Sequence, residues 1–136
     1  MKNHRVRPDL LGLHHVALQT SNYDATRAFY VDIFGMNVEW EPDADNVYLT
    51  TGSDNLAIHR VAERADFPQL LDHIGFIVPE AVDVDAWHEY LVEHDVEIVS
   101  SPRTHRDGAR SFYCVDPAGV QVQVIHHPPL SGKRVN

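Results

Sequence analysis

The stretch Leu71–Val78, LDHIGFIV, decides how the chain reads. Ile74, Phe76 and Val78 alternate with His73, Gly75 and Ile77, the pattern of a half-buried strand. It sets a histidine beside a glycine on a face with room in front of it. The same pattern stands 58 residues earlier, where His15, Ala17 and Gln19 alternate with Val16 and Leu18. An offset of 58 also pairs Phe29 with Trp87, Ile33 with Leu91 and Val38 with Val96. Toward the end of each half an offset of 67 pairs Gly52 with Gly119 and Leu56 with Gln123. The chain therefore reads as two related halves, each a strand, a helix and three strands.

The elements follow from punctuation. Residues 1–9 read as a flexible arm and Leu10–Thr20 as the first strand. Asn22 or Asp24 caps a helix that runs to about Phe34 and stops at Gly35. Met36–Glu41 is a strand ended by Pro42. Asn46–Thr51 and Asn55–Val61 form a hairpin. Residues 62–70 are polar and read as a linker between modules 10–61 and 71–127. The second half repeats the order. Leu71–Val78 is followed by a helix capped by Asp83 or Asp85, with Ala86, Trp87, Tyr90 and Leu91 as its buried stripe. Val96–Val99 comes next, then a charged loop Pro102–Gly108. Ala109–Val115 and Val120–His126 are the last two strands, and 128–136 is a tail. Strand parity puts Val120, Val122 and Val124 against the helices and Gln121, Gln123 and Ile125 on the cavity side. It also puts Leu56 and Ile58 on one face and His59 on the other, so His59 needs a bulge to turn inward.

Composition narrows the function classes. The 136 residues suit one domain with a sizeable core. The net charge of −9, with 2 Lys and 9 Arg, argues against nucleic acid or an anionic membrane as partner. Apolar runs are too short for a spanning helix, and the basic N-terminus lacks the apolar stretch of a secretory signal. The single cysteine, Cys114, has no internal partner for a disulfide and reads as a buried small hydrophobe. A cytoplasmic location is the default expectation. Of the 10 histidines, His4, His88 and His94 read as solvated.

Four segments carry a family likeness: His14–His15–Val16–Ala17–Leu18; Phe29–Tyr30 followed by Phe34–Gly35–Met36; His73–Ile74–Gly75–Phe76; and Asp116–Pro117–Ala118–Gly119. With these the chain resembles the vicinal oxygen chelate superfamily, which includes glyoxalases, bleomycin-resistance proteins and extradiol dioxygenases. The resemblance implies an α+β fold in which two tandem βαβββ modules form a curved mixed sheet around a cavity. It implies a metal site at four positions, here His15, Leu56, His73 and Gln123. Leu56 has no donor atom, and Gln123 stands where the family uses a carboxylate or a glutamine. His15, His73 and Gln123 are thus the expected ligands of a divalent metal: zinc, nickel, iron or manganese. The other reading is that the two histidines are remnants of an ancestral site.

Trp40, Tyr48, Arg110 and Tyr113 are candidates to bind substrate, through stacking, hydroxyl contacts and an anion clamp. His105 or Tyr113 is the candidate for proton transfer. The expected function is a metal-dependent lyase or isomerase acting on a small oxygenated substrate. The alternative is a metal-free, bleomycin-resistance-like protein that binds a small molecule. A homodimer is expected in either case.

Overall fold

A computed structural model describes Arg7, residues 13–63 and residues 71–128. The expected arm, tail and most of the linker lie outside the described residues. The first module runs β1 (Val16–Thr20), α1 (Tyr23–Ala28), a wide π-turn (Phe29–Ile33), β2 (Asn37–Asp43), β3 (Asn46–Thr50) and β4 (Leu56–Arg60). The second runs β5 (His73–Ile77), α2 (Ala81–Glu93), β6 (Glu97–Thr104), β7 (Arg110–Val115) and β8 (Gln121–His126). The mixed sheet is built as two four-stranded sheets, ordered β1-β4-β3-β2 and β5-β8-β7-β6. In each, the first strand runs parallel to the last and the other pairings are antiparallel. The first and second strands of a module sit at opposite edges, so the segment between them must cross a face. The helices make that crossing and cover the face with apolar side chains.

Both proline-containing strands are longer than their sequence suggests. Pro42 lies inside β2 and Pro102 inside β6, each on an edge strand where the ladder register shifts. A missing N–H costs nothing in such a position. The charged loop expected at Pro102–Gly108 therefore shrinks to a hairpin tip after Thr104. α2 is capped by Glu80, with Asp83 Oδ2 accepting the Glu80 N–H at 2.9 Å, rather than by Asp83 or Asp85 as N-cap. Within α2, Val84 and Leu91 are buried, Trp87 and Tyr90 are half-buried, and Ala86 is exposed. His88, expected in solvent, packs edge-on against the buried Phe112 ring. Gly35 takes φ +77°, a conformation that lets the chain leave the helix and that L side chains resist.

One core serves both modules. Leu18, Val47, Leu49 and Ile58 of the first sheet share it with Phe112, Cys114, Val122 and Val124 of the second. Phe34 stacks on Trp87 with centroids 5.3 Å apart and meets Phe76 at 5.1 Å. Polar groups at this junction are matched. The Tyr30 hydroxyl, fully buried, donates to Asp116 Oδ2 at 2.6 Å. Asp116 Oδ1 accepts the Ala118 and Val120 N–H groups at 2.8 and 2.9 Å. Asn22 Nδ2 donates to the Pro117 carbonyl and the Tyr90 hydroxyl to the Ile33 carbonyl, both at 3.0 Å. No helix among the described residues is long and apolar enough to cross a membrane.

Tyr30→Phe leaves a buried carboxylate oxygen short of its donor. It should lower the unfolding free energy by about 1.5–3 kcal/mol in urea with the slope unchanged; a loss under about 0.5 kcal/mol would show the bond to be dispensable. Burial, then the nearby Asp116 charge, pushes the Cys114 thiol from its ordinary 9.0 up to about 12. A folded-state pKa raised in this way gives stability that is whole below pH 9.0 and is lost as pH climbs through about 12. At pH 8 iodoacetamide should label the native thiol at least about a hundredfold more slowly than the denatured one, and similar rates would contradict this environment.

Candidate functional site

A cavity of about 550 Å³ lies between the modules, within the usual range for small-molecule sites. Its wall includes Leu13–Val16 ahead of and entering β1, Thr51, Asp54, Asn55 and Leu56 around the start of β4, and Leu71 with the whole of β5. Of the residues selected from sequence, His15, Leu56 and His73 line it, whereas Gln123, Trp40, Tyr48, Arg110 and Tyr113 are not among its lining residues. The two strands that begin with these histidines are edge strands of separate sheets, and both border the same space.

The two rings are held alike. His73 Nδ1 lies 2.6 Å from Asp72 Oδ2, and its ring meets Tyr113 edge-on with centroids 5.3 Å apart. His15 Nδ1 lies 2.9 Å from His14 Nδ1. Nε2 of both rings makes no hydrogen bond among the described residues. Gln123 pairs with Gly75 across the β5–β8 ladder, and its Oε1 lies 3.5 Å from where a Gly75 Cβ would stand. The glycine leaves this amide uncovered. The half-buried Gln123 side chain makes no hydrogen bond among the described residues. Tyr113 is its partner on β7, so His73, Tyr113 and Gln123 share one face.

Strand register corrects the reading of the first half. Val16 pairs with Leu56 and Ala17 with Ala57, while Gly75 pairs with Gln123. The position equivalent to Gln123 is thus Ala57, and Leu56 is a core residue 5% exposed. His59 pairs with Gln19 and lies on the face of Ala17 and Ala57 without any bulge. Its Nδ1 is 2.7 Å from Asn46 Oδ1. Its ring meets Tyr48 edge-on, and Tyr48 stacks on Trp40 with centroids 5.1 Å apart. Trp40, Tyr48 and His59 form an aromatic row across β2, β3 and β4.

Two other candidates sit elsewhere. Arg110 is on the helix side of its sheet, where Asp85 of α2 takes it bidentately at 2.7 and 2.9 Å. The hydrogen bond to Arg110 holds the Asp85 carboxyl below its usual range. The expected anion clamp on the cavity face is therefore corrected to a strand–helix tie. His105 Nε2 lies 3.0 Å from the hydroxyl of Ser111, a buried residue on the Tyr113 face. His14 and Asp72 were passed over in the sequence. Their signal was position: each directly precedes one of the paired histidines, and the two are themselves 58 apart.

Two cavity-lining imidazoles whose Nε2 atoms make no hydrogen bond among the described residues are donors of the type that divalent ions take. No group of three or more His, Cys, Asp or Glu side chains suited to an ion occurs among the described residues.

Comparison with known proteins agrees with this architecture. The chain is similar to a lactoylglutathione lyase from Agrobacterium tumefaciens, with a TM-score of 0.75 and 23% identity, covering 90% of this chain and 98% of that one. It is similar to a glyoxalase family protein from Enterococcus faecalis, with a TM-score of 0.69 and 28% identity, covering 85% and 97%. It is 25% identical over 119 residues to the metallothiol transferase FosB of Staphylococcus epidermidis, covering 85% of this chain and 82% of that one. A family model matches residues 12–124, and with it the chain belongs to the Glyoxalase/Bleomycin resistance protein/Dioxygenase superfamily.

Proposed function

We propose that this protein is a small metal-dependent enzyme, a lyase or isomerase, acting on a small oxygenated substrate. The observation that carries the reading is the matched state of His15 and His73: one cavity, both Nδ1 atoms engaged, and both Nε2 atoms without a hydrogen bond among the described residues. These two residues, with Gln123, would hold a divalent ion such as zinc, nickel, iron or manganese. When bound, the ion acts as a Lewis acid on a pair of substrate oxygens. With three neutral donors the ion keeps its full double charge, which favours an anionic oxygen ligand. The name of the metallothiol transferase FosB links metal to the chemistry of a chain similar along most of its length.

The remaining residues have separable tasks. The Trp40–Tyr48 stack offers a flat surface to a planar ligand. Tyr113 touches the His73 ring and is the better placed of the two proton-transfer candidates. His105 reaches the same face through Ser111. Cytoplasmic residence fits one cysteine held as a buried thiol. A second reading, a metal-free binding protein, is favoured by one observation: the paired positions Ala57 and Gln123 carry no carboxylate.

Metal analysis separates the two. Protein purified without a histidine tag should carry or take up about one equivalent of zinc, nickel, manganese or iron(II). Less than about a tenth of an equivalent, not restored by adding any of these, would leave the metal-free reading. Gln123→Glu should tighten uptake at least about tenfold, and His73→Ala should weaken it far more than His59→Ala. We also propose a homodimer. Its support is exposed apolar residues on edge strands, Val38 and Trp40 on β2 and Val99 on β6. Light scattering should return twice the 15.4 kDa chain mass, and the single mass at working concentration would refute it.

A further inference from the structure

The side chain before each cavity histidine turns onto that histidine's Nδ1: His14 onto His15 and Asp72 onto His73. Regular strand geometry does not give this contact, because neighbouring side chains point to opposite faces. It arises where the strand is only beginning: β1 starts at Val16 and β5 at His73. The arrangement occurs twice, at positions related by the same 58 residues as the histidines themselves.

We infer that Asp72 is a positioning residue that holds His73 in the Nδ1–H tautomer and leaves its Nε2 lone pair toward an incoming ligand. A carboxylate accepts and never donates when ionised, so the proton in the 2.6 Å contact belongs to the imidazole. The tautomer is thereby fixed. His14 is the neutral counterpart at His15, where one Nδ1 donates and the other accepts. The two halves are therefore unequal. Ala57 and Gln123 bring no charge to the donor positions, and Asp72 returns one negative charge a single hydrogen bond further out.

The charge argument rests on the metal reading above, whereas the tautomer argument does not. Asp72 is 89% exposed, so its replacement leaves the fold intact. Long-range nitrogen–proton spectra of the metal-free protein should show His73 as the Nδ1–H form. Asp72→Ala should shift it to a mixture or to the Nε2–H form. Asp72→Asn, which keeps an acceptor, should retain the wild-type tautomer. Calorimetric titration with zinc alone should show Asp72→Ala weakened by about 10–100-fold, more than His14→Ala, and Asp72→Asn in between. An unchanged His73 tautomer in Asp72→Ala overturns the inference. A shifted tautomer with unchanged zinc affinity overturns the charge compensation. A tautomer that shifts in Asp72→Ala, together with a wild-type protein that takes no metal, sustains the positioning role and defeats the metal reading instead.

Discussion

Everything about the cavity depends on how the two modules are locked together, and the buried bond from Tyr30 to Asp116 is where that lock is least forgiving. Tyr30 belongs to the wide turn that ends the first crossing segment. Asp116 opens the turn that launches β8, the strand carrying Gln123. The carboxylate spends one oxygen on the hydroxyl and the other on two backbone N–H groups of its own turn. Burial, followed by the adjoining carboxylate, raises the Tyr30 hydroxyl well above the ordinary phenol range, so it stays a donor. A buried charged acceptor in such a place tolerates no sliding, because a lost partner exposes the full desolvation cost. The aromatic contacts of Phe34 with Phe76 and Trp87 supply adhesion, while the hydrogen bond supplies register.

Much of this was visible in the sequence because duplication leaves a ruler. The offset of 58 holds from His15 with His73 through the helices, and the structure places those histidines on one cavity. The valines at 120, 122 and 124 are 7%, 0% and 1% exposed, as their alternation required. The ruler failed at the last hairpins. Six residues separate Leu49 from its partner Leu56, and seven separate Cys114 from its partner Val122. Aligning Gly52 with Gly119 through the turns hides that one-residue difference. A slip of one residue in a strand sends every side chain to the other face. That slip gave Leu56 the position equivalent to Gln123 and set His59 on the opposite face; the register gives the position to Ala57 and puts His59 on the same face as Ala57.

Arg110 failed for a different reason. A basic residue in a charged segment of an acidic chain resembles an anion clamp, but its face is set by strand parity and its partner by the helix above. Asp85 lies 25 residues away in sequence and meets it only because α2 crosses that sheet. Side chains whose roles depend on long-range ion pairs are the ones local pattern leaves undecided. The residues adjoining His15 and His73 were legible in principle, since the repeat already aligned them. What pattern alone withheld was that neighbouring strand residues could touch, which requires the irregular backbone at a strand's first residue.

The divergence of the halves has a chemical direction. Position for position, Ala57 corresponds to Gln123, Tyr48 to Tyr113, and His14 to Asp72. The first sheet carries the row Trp40, Tyr48 and His59 beside a small alanine. The second has kept the uncovered amide beside a glycine and an imidazole tied to a carboxylate. A pseudo-symmetric scaffold thus carries an aromatic row on one sheet and, at the matching place on the other, a histidine, a tyrosine and an amide side chain on one face.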